Sequence, residues 1–417
     1  LASFLVIVLS YHTKNLDMGK SSFFSGQPIF TQLLSLIPSH LITKAVKDHQ
    51  ADRYCKRFYA RDHLVSMLYT AFFQVTSLRE LTTGLAVNSQ RLRHLGLENT
   101  PKKSTISDAN TRRDAAFFEQ LYASLYYHFF PDSSTDKTYI MDSTTISLFT
   151  EVMRGAGSPR KDGKKKGGVK VHTLINARHD LPAFVSITEG KTADISQLQY
   201  ISLPEGSTII FDKAYVSYVM FKEWGDKINW ITRLRQTASF VVQKKLKLTP
   251  ESLKAGVQTD QNIKLGRESN QRKTPLIDAR LIHFYDAEKK RSFEFITNDF
   301  TSPPEQIAQY YKRRWQIELL FKRIKQRYPL RYFLGDSANA IKIQIWAALI
   351  CDLLVQVIKN RVNTMRKNKW SYANIAALIK HHLMTYISLI EFLKNPEKAA
   401  LQYQPPDGQL QLWGLSP

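Results

Sequence analysis

Two short apolar runs in this chain stop on an aspartate. Thr138 to Met141 ends at Asp142, and Ser207 to Phe211 ends at Asp212. Short apolar runs bounded by polar residues have the length of strands rather than of helices. Between them, Val169 to Asn176 and Leu181 to Thr188 read as a strand pair joined by Ala177-Arg178-His179-Asp180. After them, Tyr215 to Trp224 reads as helix and Ile228 to Leu234 as strand. Strands that alternate with helices imply an α/β sheet. A carboxylate at the carboxyl end of a sheet strand projects into the crevice where such sheets bind their ligands. Each aspartate also has a plainer reading as a strand-end turn or a helix cap. Asp194, in Thr192-Ala193-Asp194, is most simply a cap that begins a short helix.

Helical patterns flank this segment. Residues 18–135 carry apolar residues at three- and four-residue spacing over Ser39 to Ala51, Asp62 to Val75 and Ser107 to about His128. Ser77-Leu78-Arg79-Glu80 has the form of a capping box, and Asn99 to Ser104 is a basic turn. Short helices with basic turns suit a DNA-binding module, and a bundle that covers the sheet has the same pattern. Residues 136–235 and 301–335 are expected to form the catalytic domain, interrupted by a β-rich insertion at 236–300. That stretch is rich in β-branched and aromatic residues and is expected to protrude as a small sheet. From Ser302 the pattern is helical. One helix is expected from Pro303 to Tyr328, where Pro329 ends it, followed by Ala338 to Val362 and Ser371 to Leu393. Residues 336–417 thus form a C-terminal helical region, and its tail from Asn395 reads as irregular.

Charge narrows the class of partner. The 417 residues include 59 Lys and Arg against 36 Asp and Glu, a formal charge of +23. An excess of this size points first to a polyanion. The two cysteines, Cys55 and Cys351, are too far apart in sequence for a disulfide framework or a zinc ribbon. The most apolar helix, Ile341 to Ile358, is interrupted by Lys342, Gln344, Asp352 and Gln356, so it reads as a core helix and not a membrane span. Residues 1–17 precede Met18 and read as a leader or an over-extended start.

The helix after Pro303 carries the densest chemistry. Tyr311, Arg314, Glu318 and Lys325 stand at Tyr-x2-Arg-x3-Glu-x6-Lys spacing. At 100° per residue they fall within a stripe about 60° wide. Glu318 is the lone acid between Ala308 and Arg331. A salt bridge to Arg314 or Lys322 accounts for it without any catalysis. Taken with Asp142 and Asp212, it supplies a third carboxylate. Three hard oxygen donors suit magnesium or manganese, and such ions promote attack on a phosphodiester.

These residues resemble the DDE transposases of the insertion sequence 4 family. The Asp142 and Asp212 contexts, the Tyr-Arg-Glu-Lys signature and Gly168 to Thr173 match in order, over about residues 135–395. Phe24 to Pro28 is similar to the family's amino-terminal helical domain. The resemblance implies a ribonuclease-H-like catalytic core, a mixed sheet flanked by helices. It implies that Asp142, Asp212 and Glu318 hold Mg2+, with Mn2+ as a substitute, and that Tyr311, Arg314 and Lys325 hold transposon-end DNA. It implies cleavage at terminal inverted repeats, joining of 3′ ends to target DNA, a homodimer in the synaptic complex and a place in the bacterial cytoplasm, at the nucleoid. Some relatives stack a flipped base on a tryptophan in the insertion. No Trp occurs between Trp230 and Trp315, so Phe293, Phe295 or Trp315 is left to supply an aromatic face, unless those rings simply pack in the core.

The run Arg154 to Lys170 is a glycine-rich basic loop without the P-loop spacing. Lys164, Lys165, Lys166 and Lys170 suit DNA phosphates there, or a merely solvated loop. His172 follows on a strand, as a metal-site helper or a structural histidine. A metal-dependent nuclease without a joining step and a catalytically silent DNA-binding descendant are the competing functions.

Overall fold

A computed structural model describes residues 26–402 except 98, 132–135, 148–167 and 267–274. The leader and the loop lysines Lys164, Lys165 and Lys166 therefore lie outside the described residues. The described residues form two compact units, one joining residues 26–36 with 358–402, the other holding Ile37–Val357.

The larger unit is organised by a nine-stranded sheet in the order β3-β2-β1-β4-β5-β9-β8-β7-β6. The strands are β1 (Thr138–Ser147), β2 (Gly168–Asn176), β3 (Leu181–Glu189), β4 (Ser207–Phe211), β5 (Ile228–Arg233), β6 (Phe240–Lys245), β7 (Val257–Leu265), β8 (Ile277–Asp286) and β9 (Arg291–Thr297). β1, β4 and β5 run parallel, while β2 and β3 fold back antiparallel, as the 177–180 turn predicts. β5 pairs antiparallel with β9 through Ile231↔Thr297 to Arg233↔Phe295. The expected separate sheet at 236–300 is thus corrected: β6 to β9 prolong the central sheet. The reason is a shared core. Ile263, Leu265, Ala279, Leu281 and Ile296 pack in one cluster with Phe211, Phe221, Trp224 and Trp230. Phe221, on the helix Tyr218–Trp224, stacks flat on the fully buried Trp230 at 3.9 Å between ring centroids. Strands that share one apolar face have no surface along which to separate.

Helices cover the sheet. Ser77 caps the helix Leu78–Val87 by accepting from the Glu80 amide, and Glu80 accepts from the Thr76 amide. The helix expected over Ser107 to His128 is two, Lys103–Arg112 and Ala116–Phe129. The chain leaves helical geometry at Arg113, and Asp114 then accepts from the Ala116 amide. His63 is fully buried against Asn110. The helix Ala338–Thr364 is long and apolar enough to cross a bilayer, with mean hydropathy 1.8, but 89% of that stretch is buried in the protein. Its Asp352 is held by two hydrogen bonds from Arg323, at 2.9 and 2.7 Å.

In the smaller unit the helix Ile29–Leu34 is anchored through backbone bonds from Ile29 to Thr385 and from Phe30 to Leu383. Gln32 donates to the Ile387 carbonyl and accepts from the Leu389 amide. The single helix expected over 371–393 is instead Tyr372–His381 and Leu389–Lys394, and the tail begins with a further helix, Pro396–Gln402.

Candidate active site

The parallel pairing of β1 with β4 runs to Met141↔Phe211, so Asp142 and Asp212 stand at the same level. Only Asp212 follows a strand end: the expected end at Asp142 is corrected, because pairing with β2 carries β1 on to Ser147, with Asp142 opposite Thr173. Asp212 caps a short turn, accepting from the Ala214 amide at 3.2 Å. The single helix expected from Pro303 to Tyr328 is broken into Pro304–Lys312 and Trp315–Arg327. Between them the backbone tightens to three-residue bonds, Arg313 to Tyr310 and Arg314 to Tyr311. Tyr311 therefore ends one helix, while Arg314 opens the next, which carries Glu318 and Lys325. Arg313 and Arg314 keep right-handed helical backbone, so the stripe survives the break: Tyr311 lies against Arg314, and Arg314 and Lys325 both reach β1.

Arg314 stands at that break. Its Nη1 donates to Asp142 Oδ2 at 2.8 Å, and its Nη2 donates to Glu318. Arg233, at the end of β5, donates to Asp212 Oδ2 at 2.6 Å. Tyr311 is buried between these two guanidiniums, its ring centroid 6.0 Å from Arg233 and 5.9 Å from Arg314. Burial holds the Asp142 carboxyl up to about 6, with the charges of Asp212 and Glu318 adding to the rise against the Ser143 amide and Arg314. Burial likewise raises the Tyr311 phenol.

Three carboxylates that share one region repel one another, and two arginines relieve that repulsion here. Among the described residues, no three His, Cys, Asp or Glu side chains are spaced to hold a metal ion. The expected convergence on a shared ion is therefore realised only through Arg314, whose positive charge stands between Asp142 and Glu318. The donor chemistry fits a hard divalent cation, which would take over the neutralising part now played by the guanidiniums.

Other expected residues fall in different places. Lys325 donates to the Thr145 carbonyl on β1 at 2.9 Å. Lys170, expected on DNA, donates instead to the Thr192 carbonyl at 2.9 Å and lies 3.4 Å from Asp194. His172 is fully buried, within hydrogen-bond distance of Thr188 and Tyr215, so it is a structural histidine. Asp194 does not cap its helix. The cap is Ala193, and the Asp194 side chain turns inward to accept from Ser143 Oγ at 2.7 Å. Trp315 is 56% exposed. With Phe293, Phe295, Tyr311, Arg233 and Arg314 it lines a cavity of about 340 Å3. Phe293 and Phe295 lie parallel at 5.7 Å, and Arg291 covers Phe293. Arg233 was missed in the sequence. The signal for Arg233 was present, a base at the end of the third parallel strand.

Comparison with known proteins identifies the chain. A family model described as a transposase DDE domain matches residues 133–354, and a domain of unknown function, DUF4372, matches residues 25–98. A Sinorhizobium fredii protein named as a transposase, y4zB, is 30% identical over 62% of this chain and 72% of its own length. A Synechocystis protein named as a transposase for insertion sequence element IS4SA is 25% identical over 64% of this chain and 76% of its own. A solved piggyBac transposase synaptic complex with hairpin DNA gives a TM-score of 0.44 at 11% identity, over 92% of this chain and 82% of that one, too weak a likeness to assign any residue. The chain belongs to the DDE transposase family. Its function is that of an insertion-sequence transposase, acting on DNA, in a family that uses divalent metal ions.

Proposed function

We propose that this transposase belongs to the insertion sequence 4 group and works by cut and paste. It binds terminal inverted repeats, cleaves them by metal-dependent phosphoryl transfer and joins the freed 3′ ends to target DNA. The observation that carries this reading is the Arg314 bridge, which brings Asp142 on β1 and Glu318 on a later helix to one guanidinium. The order β3-β2-β1-β4-β5, with β1, β4 and β5 parallel, supports a ribonuclease-H-like core. In this reading Asp142, Asp212 and Glu318 hold Mg2+ or Mn2+. The ion would supply activation of the attacking oxygen and neutralisation of the leaving oxygen. Arg314 and Arg233, released from the carboxylates, turn to phosphate oxygens, which guanidinium forks suit. The aromatic cavity beside them takes a base displaced from the end duplex. The helical residues 18–135 are assigned to DNA binding, 136–235 with 301–335 to catalysis, 236–300 to an insertion beside the site and 336–417 to a helical support. Two copies form the synaptic complex.

The test is alanine replacement of Asp142, Asp212 and Glu318, one at a time, on a labelled end duplex with a target plasmid present. Each should lower cleavage by on the order of a thousandfold or more while end binding persists. Cleavage retained in any one variant removes that residue from the set. Cleavage by the wild type without joined product reduces the activity to that of a nuclease.

A further inference from the structure

Asp194 takes no part in the reaction just described, yet it is tied to Asp142 and Asp212 through their neighbours. Its Oδ1 accepts from Ser143 Oγ at 2.7 Å and from the Tyr215 hydroxyl at 3.5 Å. His172 Nδ1 lies 3.3 Å and Lys170 Nζ 3.4 Å from the same oxygen. Ser143 follows Asp142 in the chain, and its amide donates to Asp142 Oδ1 at 2.8 Å. Tyr215 closes the turn that Asp212 caps, and it is almost wholly buried. One carboxylate oxygen thus touches the residue that orients Asp142 and the turn that follows Asp212.

We propose that Asp194 is a positioning residue that sets the separation and orientation of Asp142 and Asp212 for their shared cation. The proposal rests on the reading of those two aspartates as metal carboxylates. Three features carry it. The contacts come from β1, from β2 and from the turn after β4, the elements that frame the site. His172 is fully buried and pinned on its other nitrogen by Thr188, at 3.0 Å, so the hub has little freedom to move. The hub also keeps its charge: burial works against ionisation, but hydrogen bonds from His172 and Ser143 and the charge of Lys170 hold the Asp194 carboxyl down to about 2. An ionised acceptor makes shorter and stiffer bonds than a neutral one. Groups that orient metal ligands change metal affinity or activity by about 10–100-fold when removed.

The experiment uses the full chain and reads Mn2+ binding directly, by paramagnetic resonance of free Mn2+, together with single-turnover cleavage of an end duplex and end binding. Asp194→Asn should weaken Mn2+ binding about tenfold and slow cleavage by a similar factor, leaving end binding and the melting temperature close to wild type. Ser143→Ala cuts the link from Asp194 to Asp142 while leaving the Asp194 charge in place and should reproduce the loss of Mn2+ affinity, which keeps the proposal open to test if Asp194→Asn fails to fold. Asp194→Glu restores charge beside Lys170 and His172 but not the geometry, so it should remain defective. Recovery of wild-type Mn2+ affinity in Asp194→Glu would reduce Asp194 to a charge balance and overturn the proposal. So would wild-type Mn2+ affinity in Ser143→Ala. Asp142→Ala separates the two readings: if it binds Mn2+ and cleaves normally, the carboxylate assignment fails, and if it is inert while Asp194→Asn is normal, only the positioning role fails.

Discussion

Arg280 and Arg314 each pair with an aspartate in the same sheet, in opposite halves. Arg280, on β8, meets Asp260 on β7 with two bonds, at 2.8 and 2.6 Å, and its third nitrogen donates to the Asp299 and Ser302 carbonyls. Both side chains are nearly closed to solvent, at 5% and 3% exposure. Arg314 divides its bonds between Asp142 and Glu318, one to each, and all three side chains stay partly open. The difference teaches how one chemical pair serves two tasks. A buried guanidinium with its bonds filled is fixed in place. A half-open guanidinium shared between two carboxylates can be displaced by a cation on one side or a phosphate on the other.

The largest expected effect tests the closed pair. Arg280→Ala leaves Asp260 buried without its partner and should destabilise the larger unit by about 3–5 kcal/mol. Arg314→Ala, at the open pair, should cost less, about 1–3 kcal/mol, because Asp142 and Glu318 keep some access to solvent. Urea unfolding of the two variants measures both. Equal losses would erase the distinction between a fixed and an exchangeable pair. Replacing Arg280 and Asp260 together with apolar residues of similar volume should recover most of the loss.

A smaller effect reads the open pair by pH. The Asp142 carboxyl sits at about 6 because burial and the two neighbouring acids disfavour its charge. Its folded value lies above its unfolded one, so without metal the fold should lose stability as pH rises from about 4 through 6. Metal affinity should move the other way, because only the ionised carboxylate binds the cation. Below pH 6 apparent Mn2+ affinity should fall about tenfold per pH unit, and above it the curve should level. Mn2+ titrations between pH 5 and 7.5 check this, and Asp142→Asn should flatten the acid limb. An unchanged limb in that variant would move the titration to another group.

The contrast also marks what the sequence could tell. Asp142 and Asp212 were legible because each follows a short apolar run, although β1 continues past Asp142 on its pairing with β2, which local pattern does not reveal. The Tyr311, Arg314, Glu318 and Lys325 spacing was legible as a motif, but the break at Arg313 was not, because each residue there is a sound helix former and only tertiary packing tightens the turn. Asp194 was read as a cap because Thr-Ala-Asp before a helix pattern carries that meaning locally. Its real partners, Ser143, Lys170, His172 and Tyr215, come from three other segments. The placing of β6 to β9 was hidden for a similar reason. Strand character follows from β-branched residues, but whether strands extend a sheet depends on which apolar faces meet. Arg280 and Asp260 lie 20 residues apart and gave no sign of pairing.

The smallest effect concerns Lys325, a cation with no carboxylate partner among the described residues. Its ammonium donates to the Thr145 carbonyl at 2.9 Å, three residues beyond Asp142 on β1, and burial lowers its pKa. The motif assigns it to DNA, while the contact makes it a strut that holds the helix to the strand. The two roles separate by salt. A lysine that neutralises one phosphate contributes about 0.9 to the slope of log affinity against log salt. Lys325→Ala should therefore lower that slope by about one and weaken end binding severalfold at low salt, with little change in unfolding midpoint. Binding isotherms on an end duplex between about 50 and 200 mM salt give the slope. If the slope stays and the midpoint falls, Lys325 belongs with Arg280 among the fixed contacts. If the slope falls and the midpoint stays, it belongs with Arg314, as a charge held on the protein until phosphate displaces its partner.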